Sequence, residues 1–354
     1  MSKYPVPLCL MFLLSFCSKQ QTGAREEVRR EFVLGTICQV RLYGQGSDLV
    51  YNRIFARLRE IENTMSVNMA DTAVDRINRN AGAEAVEAPA DLLEVIERSL
   101  FYARLSGGAF DPSIGPLVKL WGIGTATERL PSGSEIASLL PLVDYRHVEI
   151  DRERKRVFLR KSGMALDLGA IAKGYAADEV AAILREAGIR GAVIDLGGNV
   201  FALGDRSVLD ARAGGRALNW RIGIQDPLKE RGTYIGVMEI RDKSVVTSGI
   251  YERYMEADGK RYHHILSSRD GYPVANGLLS VTIVADHSID ADALSTAVFA
   301  LGYEKGRALL ESPELKGIAG QAEAAFVFAD RSVRLTAGMA EYFAMNNDDY
   351  RLED

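Results

Sequence analysis

Apolar residues along this chain switch repeatedly between alternating and helical spacing, and that switching confines it to folds that mix sheet with helix. Phe32 to Tyr43 alternates as a strand does and runs into a Gly44-Gln45-Gly46 turn. Ser47 or Asp48 can cap a helix in which Val50, Ile54, Leu58 and Ile61 recur on one face. A second helix is predicted over Ala90 to Leu105, stopped by Gly107 and Gly108, and a loop over 122–135. His147 to Leu159 reads as a hairpin, Met164 to Leu168 as a short buried strand and Ile171 to Ala187 as a helix. Ala192 to Leu196 is a further buried strand, strands dominate from Trp220 to Val284, and Asp290 to Leu301 is a helix stopped by Gly302. Ala324 to Leu335 closes the pattern with a last strand pair. The expectation is an α/β (α+β) protein, one compact two-lobed unit of mixed sheets and flanking helices.

With 47% hydrophobic and 26% charged residues among 354, the chain can bury a large core without membrane spans. A net charge of -5 is poorly suited to drawing nucleic acid onto the general surface, so no nucleic-acid partner is expected. An anionic substrate would need a local cation, either Lys, Arg or a metal. Lys3 precedes an apolar run, Leu8 to Phe16, too short to span a bilayer as a helix but suited to a signal peptide. Leu14-Ser15-Phe16-Cys17 resembles a bacterial lipoprotein signal, although Phe16 stands where a small residue is usual. That makes Cys17 the expected lipidation site and places the protein in the periplasm, anchored to the inner membrane; plain secretory cleavage is the alternative. The expected division is a signal segment 1–17, a polar linker 18–30, a catalytic domain 31–345 and a polar tail 346–354. With Cys9 and Cys17 in the leader, Cys38 is left alone in a strand pattern as inert core, and no disulfide framework or Cys-based zinc site is possible.

Four stretches carry potential chemistry. Leu166-Asp167-Leu168-Gly169-Ala170-Ile171-Ala172-Lys173-Gly174-Tyr175 runs from strand through a glycine turn into a helix. Helix-start N–H groups can hold phosphate and Lys173 can pair with its oxygens, though the Walker spacing is absent and an ordinary strand–helix turn reads the same. In Asp290-Ala291-Asp292-Ala293-Leu294-Ser295-Thr296, Asp292 and Thr296 share a helix face. One carboxylate and one hydroxyl make a sparse oxygen seat of the kind Mg²⁺ accepts; helix capping by Asp290 or Asp292 is the competing reading. The stretch Val245-Val246-Thr247-Ser248-Gly249, then Tyr251-Glu252-Arg253-Tyr254, then His263-His264-Ile265 offers a small-residue turn and a histidine. His264 can act as a base or orient a phosphate, while strand neighbours point apart and exclude a paired-histidine metal site. In Gly107-Gly108-Ala109-Phe110-Asp111-Pro112-Ser113-Ile114-Gly115-Pro116-Leu117, Phe110 can cover a flat ring and Asp111 can accept from an amino group, or the stretch is a helix-ending loop with a core Phe. Gly122-Ile123-Gly124 lacks the context of a dinucleotide fingerprint, and Asp195-Leu196-Gly197-Gly198-Asn199 is equally a tight turn.

In this order and rough spacing, these stretches together resemble the FAD:protein FMN transferase family (the ApbE family), from about Phe32 to Thr336. The resemblance implies that the Ala170 carbonyl, Asp292, Ser295 and Thr296 hold Mg²⁺, with Mn²⁺ possible. It implies that Leu34, Asn68, Ala109, Phe110, Asp111, Asp167, Lys173, Ser248 and Ile265 line an FAD site between two lobes. His264 matches the family's histidine near the reacting phosphate, and with Lys173 and Asp292 makes the implied catalytic set. Three positions depart from the pattern: Leu34 where relatives have Met, Asn68 where they often have a stacking aromatic, and Ser295 where several have Asp. The implied chemistry is cleavage of the FAD pyrophosphate, with AMP released and FMN passed to a Thr or Ser in an acceptor motif resembling Asp-x-x-[Thr/Ser]-Gly-Ala-Thr. Water in place of that hydroxyl would make the chain an FAD pyrophosphatase, and stoichiometric binding without turnover a flavin carrier. His264 or Asp292 would take the proton.

Overall fold

The computed structural model describes residues 26–43, 47–209 and 217–353, so the leader, Cys17 and the Gly44–Gly46 turn lie outside the described residues. Its frame is a nine-stranded sheet whose spatial order follows the chain: Glu26–Val33, Thr36–Tyr43, Gly191–Leu196, Asn199–Gly204, Lys243–Gly249, Leu278–Ala285, Glu323–Phe328, Ser332–Leu335 and Arg351–Glu353. All neighbours are antiparallel except the last pair.

Both faces of the sheet are covered. Val246, Val281, Ile283, Ala324 and Phe326 point to one side, where the helices Asp48–Met65, Ala90–Leu105, Ala172–Glu186 and Ser288–Leu301 build the main core. Val245, Val284, Ala325 and Val327 point to the other, against a three-stranded sheet of Trp220–Gln225, Tyr234–Ile240 and Phe343–Met345. Two-sided burial is why every residue of Leu278–Ala285 is buried, Ser280 and Thr282 included. A smaller lobe gathers Leu117, Trp121 and Ile136 against Met255 and Leu266. It carries the hairpin Tyr254–Ala257 and Lys260–His263, and the Trp121 indole N–H donates to the Gly271 carbonyl at 2.9 Å.

The structure departs from the sequence reading in four places. Phe32 to Tyr43 is not one strand: the chain turns at Leu34 and Gly35, both with positive φ (57° and 67°), a two-residue hairpin hidden by the unusual leucine. The first strand begins at Glu26, inside the stretch read as linker, because its exposed edge position lets it be polar. Met164 to Leu168 forms only one isolated bridge, Ala165 to Ile114. The Asn78 side chain stands in for a neighbouring strand, accepting from Leu166 N–H at 2.7 Å and donating to its carbonyl at 3.0 Å. The stretch read as a polar tail supplies the strand Arg351–Glu353, and just before it the buried Tyr350 donates its hydroxyl proton to Asp226 at 2.6 Å.

Candidate active site

The glycine turn at 169–170 feeds the helix Ala172–Glu186, which starts without a side-chain cap of its own. Its third N–H, on Gly174, donates across to Asp292 Oδ2 at 2.9 Å. Like the other N–H groups of a first helical turn, it has no partner within its own helix. The Ala170 carbonyl, which precedes the helix, takes no hydrogen bond among the described residues. Gly174 is needed here because the two helices nearly touch: a methyl on it would press on the Ser288 carbonyl and lie 2.7 Å from Ile289 Cα.

Asp292 is 4% exposed, and its Oδ2 stands 3.7 Å from the Lys173 ammonium, which donates to the Gly169 carbonyl at 2.9 Å. Ser295 Oγ donates to the Asp292 carbonyl at 2.8 Å, and Ser248 Oγ lies 2.8 Å from Ser295 Oγ and 3.3 Å from Thr296 Oγ1. Ser248 reaches this point because the Lys243–Gly249 strand ends beside the helix. Asp290 faces elsewhere, paired with Arg98 at 2.8 Å and with the Tyr102 hydroxyl at 2.7 Å. Neither Asp290 nor Asp292 caps its helix; Asp178 does, taking the N–H groups of Ser288 and Ile289 at 2.8 and 2.9 Å.

The oxygens of Ala170, Asp292, Ser248, Ser295 and Thr296 thus form a hard, singly charged set. Among the described residues no group of three or more His, Cys, Asp or Glu forms a metal cage. A seat with one carboxylate, a free carbonyl and hydroxyls fits Mg²⁺, which keeps water and takes phosphate oxygens to complete its shell.

The smaller lobe brings His264 within reach of the Lys173 charge. Beyond the Tyr254–His263 pair the hairpin continues one step, and His264 N–H donates to the Arg253 carbonyl at 3.1 Å. His264 Nδ1 lies 3.1 Å from that same carbonyl, which can only accept, so Nδ1 carries the proton and Nε2 keeps its lone pair. Burial lowers the imidazole to about 4, helped by the Arg253, His263 and Lys173 charges, so it is neutral at physiological pH. His263 points the other way, buried, with Nε2 on the Val274 carbonyl at 2.9 Å.

Asp167 lies between the lobes. Its Oδ1 accepts Gly169 N–H at 2.8 Å; burial raises its pKa, against the pull of that N–H and of the Lys173 and Arg253 charges. Its own N–H donates to the Pro112 carbonyl at 2.8 Å, tying the 109–117 loop to the glycine turn. In that loop Ala109 is half-buried, but Phe110 is turned into the core, its ring centre 6.4 Å from that of Tyr102. The ring is therefore not free to cover a ligand, and the core reading of Phe110 holds for its side chain. Asp111 locks its own loop, accepting Ser113 N–H and hydroxyl at 2.8 and 2.6 Å and Tyr145 N–H at 3.0 Å; burial still holds its pKa above the usual range. Ile265 is buried and bonds through its carbonyl to Val274 N–H at 3.0 Å.

Leu34 lies at the tip of the edge hairpin, and Asn68 lies off the sheet. Next to Leu34 at the hairpin tip, Gly35 N–H reaches Glu62 at 3.3 Å, and Asn68 is exposed just past the end of the same helix. The Gly197 turn packs directly on Thr36, so this tip is held against the Asp195–Asn199 stretch. Cys38 beneath is fully buried, and burial, with Asp195 and Glu62, raises its thiol to about 12, as inert core requires. Sequence reasoning missed Asn78 and Asp178, and gave no role to Arg253, which only the hairpin register sets opposite His264. A surface cleft of about 750 Å³ near Gly107, Arg269 and Leu301 includes none of the residues gathered here.

Fold and site together define a two-lobed mixed α/β protein with an oxygen-lined seat on the large sheet's helices and, on a hairpin, a neutral histidine close enough to feel the Lys173 charge. The chain belongs to the ApbE family, whose profile matches residues 34–319. It is 39% identical over 345 residues to a FAD:protein FMN transferase of Treponema pallidum (strain Nichols), covering 95% of this chain and 93% of that protein. A FAD:protein FMN transferase of Klebsiella pneumoniae (strain 342) is 37% identical, covering 91% of this chain and 95% of that one. Among solved structures, the ApbE protein of Thermotoga maritima superposes with a TM-score of 0.79 at 31% identity, covering 90% of this chain and 99% of that one. The apo form of the Pseudomonas stutzeri flavinyl transferase ApbE superposes with a TM-score of 0.77 at 28% identity, covering 92% and 99%.

Proposed function

We propose that this chain is a FAD:protein FMN transferase: it cleaves FAD at the diphosphate, releases AMP and moves FMN onto a Thr or Ser hydroxyl of an acceptor flavoprotein. The observation that carries the reading is Asp292, buried, holding Gly174 N–H beside Lys173, with the Ser248, Ser295 and Thr296 hydroxyls grouped next to it and a neutral histidine close enough to feel the Lys173 charge.

Ala170, Asp292, Ser295 and Thr296 would hold Mg²⁺, or Mn²⁺, with Ser248 supporting the two hydroxyls. When bound, such a cation withdraws charge from the diphosphate and stabilises AMP as the leaving group. Lys173 adds a fixed positive charge on the same side. His264 Nε2 accepts the proton of the acceptor hydroxyl as its oxygen bonds to the FMN phosphorus and the bond to the bridging oxygen breaks. Asp292 is the poorer base, because its Oδ2 already holds Gly174 N–H and faces Lys173. Water entering in place of the hydroxyl would yield free FMN and AMP, and the exposed Asn68, offering no ring to stack on the flavin nucleotide, favours keeping this second outcome.

The acceptor is proposed to present an Asp-x-x-[Thr/Ser]-Gly-Ala-Thr-like segment. Lipidation at Cys17, with the enzyme held on the periplasmic side of the inner membrane, completes the proposal. Incubation with FAD and Mg²⁺, with chromatography for AMP, tests the chemistry, and a protein bearing the acceptor motif tests transfer through covalent FMN fluorescence. AMP release that depends on the cation and falls about a hundredfold or more in Asp292→Ala is expected. Stoichiometric FAD retention without AMP would make the chain a carrier and sink the proposal.

A further inference from the structure

We infer that the Arg253 side chain grips a phosphate oxygen of the dinucleotide from the hairpin side, setting affinity for FAD rather than the rate of proton transfer. The inference rests on the proposed FAD chemistry and adds a third cationic contact to it.

The two halves of Arg253 have separate jobs. Its carbonyl takes both the N–H of His264 and the proton on His264 Nδ1. That contact is main-chain and survives any side chain at position 253. The guanidinium makes no hydrogen bond or ion pair among the described residues, and it is solvent-exposed. Its neighbour Glu252 is taken by Arg231 at 3.0 Å. Asp167 is close enough to feel the charge, but its Oδ1 holds Gly169 N–H instead.

The side chain is nonetheless placed. Its stem lies over Gly124, where an added methyl would sit 3.6 Å from Arg253 Cδ. Gly124 has a positive φ of 78°, so the bare backbone lets the stem lie close. Acids outnumber bases in this chain, 48 to 43, so carboxylates to pair with are not scarce. An arginine left without one, beside the histidine that faces the reacting phosphorus, is complementary to an anion brought from outside. The guanidinium fork matches two phosphate oxygens at once, which an ammonium cannot. The cation seat and Lys173 neutralise the diphosphate from the large sheet's helices, and Arg253 closes on it from the opposite lobe.

The test uses the full chain with Mg²⁺, reading AMP release against FAD concentration, and FAD affinity directly by quenching of flavin fluorescence. Arg253→Gln should raise KM and Kd for FAD about tenfold, with kcat within about threefold and the acid limb of the pH profile unmoved. Arg253→Lys should recover part of the affinity, and an unchanged melting temperature should show that the exposed side chain is not needed for folding. Unchanged KM and Kd would overturn the inference. A lowered kcat with a shifted acid limb would assign Arg253 to positioning His264 and overturn it equally, as would a rise confined to KM for the acceptor. If the unaltered chain releases no AMP, the FAD reading itself fails; if it does and Arg253→Gln matches it, only this inference fails.

Discussion

At the scale of single residues, His264 and Gly174 carry the sharpest expectations. With the imidazole at about 4, the proposed base is already unprotonated across the physiological range. The rate of FAD cleavage should therefore show no acid limb between about pH 5.5 and 8, and His264→Asn should lower kcat by about 10²–10⁴ at every pH there. A limb near pH 6.5, lost in the variant, would mean that the ring titrates as an ordinary histidine. Gly174→Ala should cost about 1–3 kcal/mol in urea unfolding, since a methyl meets Ser288 and Ile289 backbone that cannot retreat. It should also displace the N–H that Asp292 holds, so AMP release falls more than stability alone explains. Residue identities were the legible part of the site. Lys173, Asp292 and Thr296 stand in stretches whose spacing suggests a phosphate and cation seat, whereas an unbonded backbone carbonyl at Ala170, just ahead of its helix, has no residue type to mark it.

At the scale of elements, helices were read well because glycine stops and periodic apolar faces are local signals. Ala90–Leu105 and the Gly302 stop fall where the pattern puts them. Caps were not legible, because the Ser288–Leu301 helix takes its cap from Asp178, on a different helix and 110 residues back in the chain. That cap has a measurable signature. Burial raises Asp178 to about 6, against the pull of the Ile289 and Ser288 N–H groups, from an ordinary 3.8. Between those values the folded chain binds the proton and the unfolded chain does not. Stability from this group is therefore greatest below the unfolded value and declines as pH rises through the folded one. In urea titrations from about pH 4 to 7, the unaltered chain should lose stability relative to Asp178→Asn up to about pH 6, and the difference should then level off. A difference independent of pH would show that Asp178 is ionised throughout. The strands missed or misplaced failed for the same non-local reason: Glu26–Val33 and Arg351–Glu353 lie at the sheet's two edges, where solvent permits polar residues, and Leu166 borrows a side chain instead of a strand.

At the scale of the whole molecule, the sheet follows chain order, yet nothing in the sequence orders nine strands; only the packing of helices on one face and a small sheet on the other does. The same holds for the meeting of the two lobes. Residues near 170 and 292–296 come from helices on the large sheet, and Arg253 and His264 from a hairpin anchored on Leu117 and Trp121. A dinucleotide bound between them would tie the lobes together and stabilise the fold by mass action, about 2.7 kcal/mol at a hundred times Kd. Mg²⁺ alone would meet one carboxylate and should bind weakly, while FAD alone would place its diphosphate near the Asp292 charge. Each should therefore raise the affinity for the other, by the same factor in both directions. The melting temperature with FAD and Mg²⁺ together should rise by several degrees more than the sum of the separate shifts. Asp292→Ala should abolish that excess, while the shift with FAD alone is kept or enlarged, because the carboxylate that repels the diphosphate is gone. Purely additive shifts, or an excess that survives Asp292→Ala, would place the cation away from the seat beside Ala170 and separate the metal from the dinucleotide.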